Sequence, residues 1–113
     1  LTVISDAEKA VREIEPDFDI EKISLDDMNT YKIFSSGQTY GVFQFESAGM
    51  RSVLTRIKPE NLEDLIAVIS LYRPGPMFFI DTYLDNRKNP SHVQYRTPLL
   101  KDILYETNED DYK

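Results

Sequence analysis

The run Arg73-Pro74-Gly75-Pro76 is the feature that most limits what this chain can fold into. Each proline holds φ at about −65° and lacks a backbone N–H, so a helix arriving from upstream must stop and pass into a rigid, extended turn. Similar breakers stand at Pro16, Gly37, Pro59, Asn89-Pro90 and Thr97-Pro98, which leaves room only for short elements between them. Upstream of the turn, Leu62, Leu65, Ile66, Ile69 and Tyr72 form the strongest apolar stripe, and Asn61 is a good N-cap for it. This spacing predicts a helix that supplies much of the core. Downstream, Phe79, Ile80, Tyr83 and Leu84 predict a helix finishing near Asn89-Pro90.

The remaining segments read in the same way. Val3, Ala7, Val11 and Ile14 share one helical face, and Pro16 stops that helix. Ser24 with Asp27 three residues on resembles a capping box, after which Met28, Tyr31 and Phe34 line one face and Gly37 suits the left-handed closing residue. Ser47 starts a helix carrying Met50, Val53, Leu54 and Ile57, which must end before Pro59. Thr97-Pro98 is an N-cap followed by proline at the first helical position, leading to Leu99, Leu100, Ile103 and Leu104. Between helices, Thr39 to Phe45 is short and aromatic and is either a brief strand or a buried turn. The fold class predicted is mainly α: a small helical subdomain of about six short helices, with one short strand near 40–45 as an option. The acidic tail 108–113 has no apolar stripe and is expected to fray.

A chain of 113 residues that is 41% hydrophobic is the size of one domain with a modest core. It has no membrane-length apolar run and no leader pattern, so it reads as a soluble, cytoplasmic protein with no membrane partner. Cysteine is absent and His92 is the lone histidine, so a metal would have to rest on carboxylates and water. The net charge of −7 opposes autonomous nucleic-acid binding. The charge is nevertheless uneven, with Arg51, Arg56, Lys58, Arg73, Arg87, Lys88 and Arg96 outnumbering the acids of the middle stretch.

Few residues suggest chemistry. Asp17 and Asp19 would face the same way on a strand and could hold magnesium, but an acidic turn after Pro16 is the simpler account. Glu46 and Ser47 lack the partners of a nucleophilic site, and Ser47 is better read as a cap. Asp110-Asp111 lacks the further ligands of a calcium loop. Arg51 and Lys58, seven residues apart, are expected to share a helix face able to track a phosphate backbone, or else to be ordinary solvated charge. A guanidinium on the rigid Arg73 turn could place a bidentate phosphate contact, and the helix stop alone does not account for Arg73.

The segment Gly41-Val42-Phe43-Gln44-Phe45-Glu46-Ser47-Ala48-Gly49-Met50 is followed in order by Lys58-Pro59, Glu63-Asp64-Leu65-Ile66-Ala67 and Leu71-Tyr72-Arg73-Pro74-Gly75-Pro76-Met77. Together these resemble the alpha subunit of the C-family bacterial replicative polymerases, DNA polymerase III. Leu1 to Ile4, Ile23 to Asp27, Tyr83, Arg87-Lys88, Tyr95 and Pro98 to Leu104 continue the resemblance across roughly residues 1–107. It implies that 1–107 is the N-terminal part of a fingers domain and that 108–113 is a tail divergent from or foreign to the family. It further implies a parent enzyme that extends a primer with deoxynucleotides using magnesium, in company with DNA primer–template, deoxynucleoside triphosphates and other replisome subunits. The catalytic aspartates of the family fall before Leu1, so no catalytic residue, metal ligand or cofactor is assigned here, and the fragment is not expected to polymerise alone. The resemblance places Phe43, Gln44 and the Arg73 turn with Gly75 in the first part of the fingers, which help form the wall around template and nucleotide; Arg51, Lys58, Arg87 and Lys88 join them as DNA- or nucleotide-proximal candidates on their charge. The competing reading is a small acidic helical interaction module with no polymerase parent. A stand-alone carboxylate metal enzyme built on Asp17 and Asp19 is a third.

Overall fold

A computed structural model of the chain describes residues 1–109, with 104–109 as backbone alone. Among the described residues there are six α-helices and no strand: α1 Thr2–Arg12, α2 Met28–Ser36, α3 Ala48–Ile57, α4 Leu62–Leu71, α5 Ile80–Lys88 and α6 Pro98–Glu109. Single 3-10 turns occupy Ile20–Lys22, Pro76–Phe79 and Pro90–His92. The mainly α reading holds. None of these helices is long and apolar enough to cross a membrane. The residues fall into two compact units, Leu1–Ile69 and Ser70 onward, where the length alone suggested one.

The first unit is organised by α3. Ser47 accepts a hydrogen bond from the Met50 N–H at 3.2 Å, which supplies one of the donors a helix start leaves unpaired. The expected face of Met50, Val53, Leu54 and Ile57 is entirely buried, joined by Tyr31 of α2, Phe45 of the intervening loop, and Leu65 and Val68 of α4. Each such side chain contributes on the order of 1.5–3 kcal/mol by leaving water. Pro59 then forbids further helix, and Lys58 adopts φ 52° while its N–H still bonds to the Leu54 carbonyl at 2.8 Å. The Pro59 carbonyl accepts from the Ser35 hydroxyl at 2.9 Å, tying the exit of α3 to α2.

Asn61 caps α4 as expected, its side-chain oxygen accepting the Asp64 N–H at 2.8 Å. The stripe of α4 is rotated from the predicted one. Leu65, Val68 and the carboxylate-bearing Asp64 are buried, Ile66 is half exposed, and Tyr72 lies past the helix end. Asp64 tolerates burial because it accepts the Glu60 N–H at 2.9 Å.

At α2 the cap is Asp27, one residue before the helix, instead of Ser24. Asp27 accepts from the Asn29 N–H at 3.0 Å and the Thr30 hydroxyl at 2.7 Å, whereas Ser24 only accepts the Asp26 N–H in the preceding turn. The Tyr31 hydroxyl donates to the Leu25 carbonyl and holds residues before Asp27 outside the helix. Met28 consequently sits exposed, while Tyr31 is buried and Phe34 meets the edge of Phe45 at 5.0 Å between centroids.

The first helix stops at Arg12, short of Ile14, and buries none of its residues. Its polar side organises the segment from Phe18 to Ile20. Glu8 accepts from Arg12 at 2.9 Å and from the Ile20 N–H at 3.1 Å, and Arg12 donates to the Phe18 carbonyl at 2.7 Å.

In the second unit, α4 ends at Leu71 and Gly75 takes φ 102°, a conformation that side chains with a Cβ rarely adopt. Pro76 opens the 3-10 turn that feeds α5. Thr97 caps α6, its hydroxyl accepting the Leu100 N–H at 3.4 Å. The helix continues through Asn108 and Glu109, and the rest of the tail expected to fray lies outside the described residues.

Gly37 sets how closely α2 meets α3. It has φ 71°, and a Cβ there would lie 2.9 Å from Thr55 Cγ2 and 3.3 Å from the Arg51 carbonyl. The change Gly37→Ala is expected to destabilise the fold by at least about 1–2 kcal/mol from the left-handed backbone alone. Urea unfolding should show part of the loss recovered when Thr55→Ser removes the clashing methyl; no recovery would mean the backbone term dominates.

Candidate functional site

The loop between α2 and α3 is a chain of turns, so the strand option at 40–45 is not realised. The Val42 N–H bonds to the Thr39 carbonyl and the Phe45 N–H to the Val42 carbonyl, directing bonds inward where a strand would direct them sideways. Gly41 and Gln44 both take positive φ, 75° and 67°. For glutamine this is an unfavourable conformation, costing about 1–2 kcal/mol, and it persists because the residues around it are fixed. Thr39 is fully buried and donates its hydroxyl to the Phe45 carbonyl at 2.6 Å, Phe45 is buried against Phe34, and Glu46 accepts the Gly41 N–H at 3.3 Å.

This bracing turns aromatic rings outward. Tyr40 is 75% and Phe43 82% exposed, far from the usual fate of large apolar rings. The guanidinium of Arg51 lies over the Tyr40 ring, 3.9 Å from its centroid. Arg51 Nε is buried and meets no hydrogen-bond partner among the described residues. An orphaned donor of this kind costs on the order of 1–3 kcal/mol.

Of the residues predicted from sequence, Arg51 is brought onto Tyr40, which shares the loop of Phe43 and Gln44 and which the sequence reading passed over. Its signal was an aromatic next to a glycine in a loop too short to bury two rings. Arg51 and Lys58 do not share a helix face, because α3 ends at Ile57 and Lys58 turns away in the left-handed region. In the second unit Arg73 is exposed on its turn, with no ion-pair partner among the described residues, and its backbone is fixed by the Arg73 N–H to Leu71 carbonyl bond at 2.8 Å. Gly75 supplies the bend. Arg87 and Lys88 occupy the last turn of α5, where the helix dipole favours cations. Arg87 is half-buried and engaged, and Lys88 is exposed.

Of the two aspartates that suggested a metal site, one is occupied. Asp19 caps the 3-10 turn by accepting the Glu21 N–H at 3.0 Å and pairs with Lys22 at 3.1 Å, while Asp17 is exposed. No three His, Cys, Asp or Glu side chains converge as metal ligands among the described residues.

The family described as the bacterial DNA polymerase III alpha subunit finger domain matches residues 1–109. The chain belongs to that family. It is 55% identical over 89 residues, 79% of its length, to "DNA polymerase III subunit alpha" of Staphylococcus aureus strain Mu50, and 43% identical over 107 residues, 95% of its length, to the same-named protein of Borreliella burgdorferi. The finger-domain chain spans 8% and 9% of those relatives. Family membership removes the reading of an interaction module unrelated to polymerases.

One further pair escaped the sequence reading. In this finger domain His92 Nδ1 lies 2.8 Å from an oxygen of Asp85, whose other oxygen accepts from the Asn89 side chain at 3.1 Å. The pair folds the Pro90–His92 turn back on α5. The hydrogen bond with His92, then that with Asn89, lowers the Asp85 pKa below the ordinary carboxylate value. Because the folded pKa is depressed, Asp85 adds stability above its unfolded value of about 3.9 and loses it as pH falls through the lower folded value. Carboxyl NMR titration should place the Asp85 midpoint below that of an exposed aspartate and move it up in His92→Ala; an unmoved midpoint would refute the coupling.

Proposed function

We propose that this chain is the N-terminal part of the fingers of a replicative, DNA-directed DNA polymerase, and that it supports primer–template and incoming deoxynucleotide without carrying the chemical step. The observation behind this is Arg73, an exposed cation without an ion-pair partner among the described residues on a turn fixed by Pro74, Gly75 and Pro76. An arginine presented this way can meet a phosphate with little further ordering, since its backbone is already set. Lys58 and Lys88 would add to the electrostatic support.

The magnesium that such a polymerase uses finds no converging donor set among the described residues, whose carboxylates are dispersed. Its ligands would come from other parts of the whole protein. That protein would act in the cytoplasm with other replisome subunits.

Anisotropy of a labelled primer–template duplex tests the reading. Binding should weaken with salt, and Arg73→Ala should lower affinity at every sequence while reducing the log–log salt slope by about 0.9, the value for one lost phosphate contact. Lys58→Ala should act in the same direction. Duplex affinity unchanged in Arg73→Ala, or absent at low salt, would reject it.

A further inference from the structure

We infer that the Tyr40–Arg51 stack is a docking platform for an unpaired base of single-stranded DNA; the assignment rests on the polymerase reading above and adds a second contact class to it. Arg51 covers one face of the Tyr40 ring at 3.9 Å, yet the residue remains 75% exposed, so the opposite face is open to solvent. An open aromatic face beside a cation is the combination that holds single strands, the ring stacking on a base and the cation attracting the adjoining phosphate. No carboxylate pairs with Arg51 among the described residues, and Glu46, the nearest acid along the loop, is spent on the Gly41 N–H.

The mounting supports the same conclusion. Tyr40 directly follows the fully buried Thr39, whose hydroxyl is locked to the Phe45 carbonyl at 2.6 Å, and Gln44 is held at φ 67° within the same loop. A ring presented on a fixed backbone loses little entropy on binding, and strain retained at an exposed position marks a conformation kept for use. The face of a paired base is hidden in the duplex stack, which points to an unpaired strand. A protein partner closing over the ring would desolvate an arginine that already has an orphaned Nε, which disfavours that occupant.

The 113-residue chain is to be titrated into a short single strand carrying 2-aminopurine, whose fluorescence falls on stacking, and into a fully paired, blunt-ended duplex. The platform predicts quenching by wild type and Tyr40→Phe. It predicts loss of quenching with about fivefold or greater weakening in Tyr40→Leu, and unchanged duplex affinity in that variant. Single-strand affinity unaltered in Tyr40→Leu, an equal loss on strand and duplex, or no single-strand binding at low salt would each overturn it. Circular dichroism melting checks the variant's fold; if Tyr40→Leu unfolds, an upfield shift of the wild-type Tyr40 ring protons on adding the strand decides the question, and its absence overturns the platform. Arg73-dependent duplex binding without Tyr40-dependent quenching removes the platform alone. Tyr40-dependent quenching without duplex binding removes the reading of Arg73 alone.

Discussion

The burial of one face of α3 is the interaction on which the first unit depends. Leu54 and Ile57 are almost wholly removed from water, and α2, the Phe45 loop and α4 bury their own side chains within the same unit. The glycine at the end of α2 is part of the same arrangement, since only a residue without a Cβ lets that chain pass 3.3 Å from the Arg51 carbonyl at the Cβ position. Because Arg51 sits on α3 beside these buried positions, its backbone is as fixed as the core. The cation therefore inherits its place from the packing.

The loop before α3 uses the same core in a different way. Thr39 and Phe45 turn inward and anchor both ends, which leaves Tyr40 and Phe43 no space except outward. A free loop of this length would relax Gln44 to negative φ, so the strain is sustained by the two anchors. Exposure of the rings is a result of the burial of their neighbours.

Much of the helical frame was legible because its signals are local. Ser47, Asn61, Thr97 and Gly37 act through hydrogen bonds that span three or four residues, and the breakers at Pro59 and Pro74-Gly75-Pro76 act on their own φ angles. The misplaced features share a different cause. Ser24 and Asp27 are both competent caps, and the choice is made by Tyr31 reaching back to Leu25. Nearly every side of α4 is apolar, so periodicity alone could not choose Val68 over Ile66; packing within the core does so. Of the site, Phe43 and Gln44 were legible through family resemblance, Arg73 through its rigid turn as well, and Arg51 through the charge of the middle stretch. The Tyr40–Arg51 stack was not, since it joins a loop to a helix and depends on where the core fixes each.

The acidity of the chain looks at first like an argument against contact with nucleic acid. Several of the carboxylates nevertheless have definite employment: Glu8, Asp19, Asp27, Glu46 and Asp64 accept backbone N–H groups, and Asp85 holds the His92 turn. A carboxylate occupied in this way stays at its cap or turn and is not free to swing toward a distant guanidinium. Arg51 and Arg73 are left without carboxylate partners among the described residues despite the excess of acids. Total charge sets the long-range repulsion that a DNA strand must overcome, which salt attenuates beyond about 10 Å. What the strand meets at contact is set by which charges remain uncommitted, and in this fold those include both arginines.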